Sequence, residues 1–206
     1  DLTRVKKEDI KSYLKYLFDK DNSNRTVSRK ISTLKSFYKY LKENDVIKFS
    51  PALSIKYPKA DKKLPNFVHY NELESMINAT KKDTFYERDD LIIELMYATG
   101  VRVSELVNIK LDDIDFETNS IRILGKGSYM RTVYFGEYAR DAIFKYMHGL
   151  RKKLLNGKES EYLFLNKNGN NITTRGIAKI IDKIVSETEV KTKVSPHTLR
   201  HTFATH

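Results

Sequence analysis

Three of the chain's four prolines, Pro51, Pro58 and Pro65, fall within fifteen consecutive residues. Each removes a backbone donor and turns the preceding residue away from helix, so no regular element runs through this stretch. Lys56, Lys59, Lys62 and Lys63 lie in the same stretch, which reads as an extended basic linker. The 206 residues are therefore expected to fold as two pieces, a helical one over 1–57 and a larger one over 68–206, joined by a linker over 58–67. The first piece has room for only two helices. It is expected to belong to a domain that begins upstream of Asp1.

Charge separates the two pieces. Residues 1–67 hold 17 Lys and Arg against 8 Asp and Glu, whereas residues 68–206 hold 21 against 19. A dense positive segment followed by a nearly balanced one fits a grip on a polyanion beside a more specific site; a solvated lysine-rich surface is the plainer alternative. With 40% hydrophobic and 11% aromatic residues, the composition excludes a disordered or low-complexity chain. Every apolar run falls well short of the roughly 20 residues a membrane-spanning helix needs. The chain has no cysteine, and its first residues lack the apolar core of a secretion signal. A cytoplasmic protein with no membrane partner is expected.

Ile10, Tyr13, Leu14, Leu17 and Phe18 recur at helical spacing, as do Val27, Ile31, Leu34, Tyr38 and Leu41 after a possible cap at Ser23. The second helix carries Arg25, Arg29, Lys30, Lys35 and Lys39 on its other faces, with Thr26, Ser28, Ser32 and Ser36 between them. These are phosphate-contacting residue types. Beyond the linker, Asn71 with Glu74 resembles a capping box. A helix over about 86–98, apolar nearly all round, stops at Gly100, and a short one follows around 104–107. Ile121, Ile123, Val133 and Phe135 alternate about Gly125-Lys126-Gly127, predicting a hairpin with Lys126 near its turn. Helices over about 138–150 and from Thr174 through Ile184 follow. Ser195 and Pro196 open a last helix expected to run to the chain's end.

Two constellations carry possible chemistry. In the last helix, spacings of three and four put His197, Arg200 and His201 on one face and Leu199 with Phe203 on another. A guanidinium fork matches phosphate oxygens, and an imidazole can donate a hydrogen bond or shuttle a proton. His197 and His201 also stand at metal-ligand spacing, but no glutamate lies between them and Arg200 would set a cation beside a metal, so no metal is assigned. Arg102 follows Gly100 in a turn that should face the interior. Glu105, three residues on, either pairs with it structurally or orients it while its remaining donors await a phosphate.

Residues 97–106, Tyr-Ala-Thr-Gly-Val-Arg-Val-Ser-Glu-Leu, then Gly125-Lys126-Gly127, then residues 197–206, His-Thr-Leu-Arg-His-Thr-Phe-Ala-Thr-His, closely resemble the tyrosine site-specific recombinases of the phage integrase family, in their Xer and transposon integrase branch. Residues 26–40 resemble the DNA-gripping helix of that family's first domain. The resemblance implies a mainly α fold with a small antiparallel β-sheet, arranged as a two-domain, C-shaped clamp on duplex DNA. It implies Arg102, Lys126, His197 and Arg200 as catalytic residues, with Glu105 and His201 in support. It also implies Arg25, Thr26, Arg29, Lys30 and Lys35 on DNA, and no cofactor or metal. Two arginines can clamp the charge that builds on a phosphodiester under attack, and a lysine can protonate the departing 5′ oxygen. The implied partners are double-stranded DNA and a second recombinase copy or a paralogue in a tetramer, in a bacterial, nucleoid-associated setting.

The family's nucleophilic tyrosine follows the His-x-x-Arg helix by tens of residues, whereas all 13 tyrosines here precede it. The chain is expected to be cut at both ends and, alone, not to cleave. A type IB topoisomerase and a catalytically inactive DNA-binding protein of the same fold are the alternatives.

Overall fold

The computed structural model describes residues 2–59, 67–81, 83–125, 127 and 129–205. The chain divides into two compact units, Asp1–Leu64 and Pro65–His206.

In the first unit, α1 (Lys7–Asp19) and α2 (Asn24–Glu43) pack through their apolar stripes. Ser23 caps α2, its hydroxyl accepting from the Thr26 amide at 3.3 Å. Ile10, Leu17, Val27, Ile31 and Tyr38 are buried, joined by Ala52 and Ile55 from the segment after α2. Each fully buried aliphatic side chain here contributes about 1.5–3 kcal/mol. Tyr38 donates its hydroxyl to the Leu2 carbonyl, so the polar end of the buried ring is satisfied.

The second unit is built around α4 (Tyr86–Thr99), which is buried on nearly every side through Leu91, Ile92, Ile93, Leu95 and Met96. Around it pack α3 (Tyr70–Thr80), α6 (Glu137–His148), α7 (Leu150–Leu155), α8 (Thr174–Ser186) and α9 (Pro196–Phe203). The short α5 (Val103–Leu106) follows α4 directly. Strands β1 (Ile114–Asp115), β2 (Ser120–Leu124) and β3 (Met130–Tyr134) form an antiparallel sheet in that order. Ile121 pairs with Val133 and Ile123 with Arg131. Because side chains alternate across a strand, these four share the core-facing side, while Leu124, Met130 and Tyr134 face outward. The mainly helical fold with a small antiparallel sheet is thus the one the sequence predicts.

Several local expectations are corrected. The cap of α3 is His69 with Glu72, whose carboxylate accepts the His69 amide at 3.0 Å, rather than Asn71 with Glu74. The helix expected over 138–150 breaks at Gly149 and resumes as α7. A Cβ at that position would lie 2.2 Å from Glu87 Oε2, the oxygen that accepts the Leu150 amide at 2.6 Å, so an acidic group from α4 caps the new helix across the core. Finally, α9 ends at Phe203. The Ala204 and Thr205 amides bond back to the His201 and Thr202 carbonyls, and the Thr205 hydroxyl also donates to His201, closing the turn tightly.

Candidate functional site

The site begins where α4 ends. Gly100 adopts a left-handed backbone (φ 58°), which closes the helix and swings the chain so that Val101 is buried and Arg102 precedes α5. Glu105, on the first turn of α5, accepts the Arg102 amide at 2.8 Å and the Arg102 guanidinium Nη1 at 2.9 Å. Its side chain is only 4% exposed, against 49% for that of Arg102. One face of the guanidinium is therefore fixed on a buried carboxylate while the rest meets solvent.

Two further arginines reach the same carboxylate. Arg131 on β3 donates Nη1 to Oε1 at 3.0 Å and Nη2 to Oε2 at 2.8 Å, a bidentate fork. Arg200 on α9 donates Nη1 to the Gly100 carbonyl, and the same nitrogen lies 3.9 Å from Glu105 Oε2. Burial alone would push the Glu105 carboxyl up. The Arg131 fork, then the Arg102 amide and guanidinium, outweigh it and bring the pKa down to about 2. Arg131 is held above the ordinary arginine range by its bond to Glu105. Arg200 is held below it by burial and then by the like charge of Arg102, with Arg131 adding to the effect and Glu105 opposing it.

Three guanidinium groups around one carboxylate leave a formal excess of two positive charges. Arg131 and Arg200 are 36% and 35% exposed, so with Arg102 the outer surface of the cluster is open. Such a half-buried group of rigid planar donors is suited to hold a tetrahedral anion and to stabilise charge that grows on its oxygens.

The structure thus brings together Arg102, Glu105 and Arg200 among the residues singled out by sequence. It adds Arg131, which sequence reasoning missed. The available signal was its strand phase: on β3 it occupies an inward position, where a charged side chain needs an anion. A Cβ at Gly125 would lie 3.3 Å from Arg131 Nη1 and 3.8 Å from Glu105 Oε1, so the root of the hairpin turn abuts the cluster. Lys126, the next residue, lies outside the described residues. His197 is exposed in the first turn of α9, three residues before Arg200, and His201 is exposed one residue after it.

The apolar side of α9 differs from expectation. Leu199 is buried, but its companions are Thr198 and Thr202. Phe203 is 46% exposed, with its ring against Gly100. On α2, Arg25, Thr26 and Arg29 are exposed and Lys30 and Lys35 half-buried, with the Lys35 ammonium 4.6 Å from the centre of the Tyr57 ring. Thr26 also takes part in the α2 cap, its hydroxyl 3.0 Å from that of Ser23.

The sequence of the chain matches the family model described as "Phage integrase family" over residues 66–206, and residues 1–45 match "Phage integrase, N-terminal SAM-like domain". The chain belongs to the phage integrase family. It is 43% identical over 199 residues to the tyrosine recombinase XerC of Staphylococcus aureus (strain JH9), covering 96% of this chain and 66% of that protein. It is 39% identical over 207 residues to XerC of Staphylococcus saprophyticus, covering all of this chain and 69% of that one. The chain thus spans about two thirds of the length of the curated relatives it matches. The fold is also that of the Tn1549 transposon integrase, solved with circular intermediate DNA (TM-score 0.77, 21% identity, 100% of this chain and 73% of that one).

Proposed function

We propose that the protein is a site-specific DNA recombinase that cleaves and rejoins strands through a 3′-phosphotyrosine. The reading is carried by Arg102 and Arg200, which approach from two separate elements to one buried carboxylate while their side chains stay partly exposed to solvent. In the step so assigned, a tyrosine oxygen bonds to the scissile phosphorus and the bond from phosphorus to the 5′ oxygen breaks. That oxygen takes a proton to leave as a hydroxyl. Reversal by the 5′ hydroxyl of another strand completes the exchange. Arg102 and Arg200 stabilise the charge on the non-bridging oxygens, where losing one preorganised donor typically costs about 10²–10³ in rate. Lys126 is assigned as the acid at the 5′ oxygen and His197 as a group that positions the phosphate or relays a proton, with Glu105 and His201 in support. None of the 13 tyrosines is assigned as the nucleophile.

The remaining assignments follow the same reading. Residues 1–57 act as a core-binding unit, with Arg25, Thr26, Arg29, Lys30 and Lys35 on duplex DNA. Residues 58–67 link it to a catalytic unit over 68–206. The active assembly is a tetramer of this protein, alone or with a related recombinase, on nucleoid DNA. The named XerC relatives support recombination over topoisomerase action.

The test is to incubate the whole encoded protein with fragmented genomic DNA of its source, denature, recover covalent protein–DNA adducts and sequence their ends. Adducts at a small number of defined sequences are expected, linked through the 3′ phosphate. Cleavage without a covalent link, or adducts scattered without sequence preference, would overturn the reading.

A further inference from the structure

The second unit contains a buried hydroxyl that the phosphate site does not use. Thr202 is fully buried in α9, two residues after Arg200. Its Oγ1 donates to the Thr198 carbonyl at 3.0 Å and accepts the Val68 amide at 2.9 Å. Val68 is itself fully buried and sits at the start of the described part of this unit, just after the proline-rich stretch. The bond therefore joins positions 134 residues apart in sequence.

A second fastening lies beside the first. Glu72, on the first turn of α3, accepts the His69 amide and also the Thr192 hydroxyl, at 2.9 Å and 3.2 Å to its two oxygens. Thr192 lies three residues before Ser195, the cap of α9. The segment that enters this unit is thus tied to the body of α9 and to its lead-in loop. α9 is a short, capped helix, so a shift of Thr202 is carried over one half-turn to Arg200. At a catalytic group, misplacement of about 1 Å can cost about 10²-fold in rate.

We propose that Thr202 is a positioning residue: through its bond to the Val68 amide it makes the placement of Arg200 depend on how the chain is seated where it enters the catalytic unit. The proposal rests on the recombinase reading above and goes beyond it, because the family's phosphate site alone assigns Thr202 no part. Packing at this position needs only volume, which valine supplies. Seating Val68 needs the hydroxyl.

The experiment compares Thr202→Val, which keeps the shape without the hydroxyl, and Thr202→Ser, which keeps the hydroxyl, in the whole encoded protein. The DNA is a duplex carrying a sequence recovered in the adduct experiment. Single-turnover cleavage, duplex affinity and hydrogen exchange of the Val68 amide are measured. Thr202→Val is expected to cleave at least about 10-fold more slowly, with affinity within about threefold and Val68 exchange at least about 10-fold faster. Thr202→Ser should restore both cleavage and protection.

Wild-type cleavage by Thr202→Val despite a deprotected Val68 amide would overturn the proposal. So would equal loss in the valine and serine variants, which would make the role one of packing. Should Thr202→Val not fold, Thr202→Cys, which keeps the volume but offers the Val68 amide only a weak sulfur acceptor, takes its place; slowed cleavage with a deprotected Val68 amide supports the proposal, and unchanged cleavage despite that deprotection overturns it. Failure of the wild-type protein to form adducts is a separate result, which would remove the recombinase reading itself.

Discussion

Glu105 decides the geometry of the arginine cluster, because it is the anion that Arg102 and Arg131 bind directly and that Arg200 approaches. Without its charge, three guanidinium groups would repel one another across a half-buried space. Glu105→Gln keeps the shape and removes the charge, and is expected to cost about 1–3 kcal/mol at neutral pH, less than a fully buried pair because the arginine partners remain partly exposed to water. The pH dependence has a definite sign. The folded carboxyl titrates near 2 rather than at its ordinary 4.5, so the unfolded chain takes up this proton first. The contribution is complete above about pH 4.5 and is lost as pH falls through that value towards 2. Thermal unfolding of the 206-residue chain across this window should show the gap between wild type and Glu105→Gln narrowing towards acid; a constant gap would contradict the ion-pair account. Arg102, Glu105 and Arg200 were legible in the sequence because a turn and a helix carry them in short, recognisable strings. Arg131 was not, since the hairpin was read from its apolar residues, and an arginine on the inward phase discloses its partner only once β3 is seen to face α5.

At the scale of elements, the junction of α4 with α9 matters most. Gly100 carries a positive φ, accepts Arg200 at its carbonyl and packs under the Phe203 ring, which would lie 2.3 Å from a Cβ at this position. Gly100→Ala combines left-handed strain with that collision, and a loss of about 2–4 kcal/mol is expected. Denaturant unfolding measures it. A variant within about 0.5 kcal/mol of wild type would show that the ring moves aside freely and that the junction is loose. A helix with an apolar stripe and a Ser cap was legible, as α2 shows, and for α9 the start was legible from Ser195 and Pro196. The break before α7 was not, because the helical pattern continues through Gly149 and the capping acid, Glu87, comes from 63 residues away. Nor was β1, whose two residues are too few to show alternation. Phe203, set with Leu199 on one face by its spacing, is half-exposed, because spacing alone cannot tell a ring lying on a turn from one lying in the interior.

At the scale of the whole molecule, charge and chemistry are divided along the chain. The first 67 residues hold most of the excess positive charge, and the arginine cluster is built entirely from residues of the second unit. That division was legible in the distribution of lysine, arginine and proline; the convergence of α5, β3 and α9 on one carboxylate was not, because it is a property of tertiary packing. The division implies that binding and cleavage can be impaired separately. Phosphate contacts that grip the duplex set affinity and its salt dependence, whereas donors aimed at a reacting phosphate set rate. The most direct test measures duplex affinity and single-turnover cleavage at saturating DNA side by side, in the whole encoded protein, for Arg102→Ala, Arg200→Ala and the double charge reversal of Arg29 and Lys30. The arginine variants are predicted to cleave at least about 10²-fold more slowly with affinity within about threefold, and the charge reversal to lose affinity while the complex that forms still cleaves. Near-normal cleavage by either arginine variant would contradict the assignment of the cluster to the reacting phosphate.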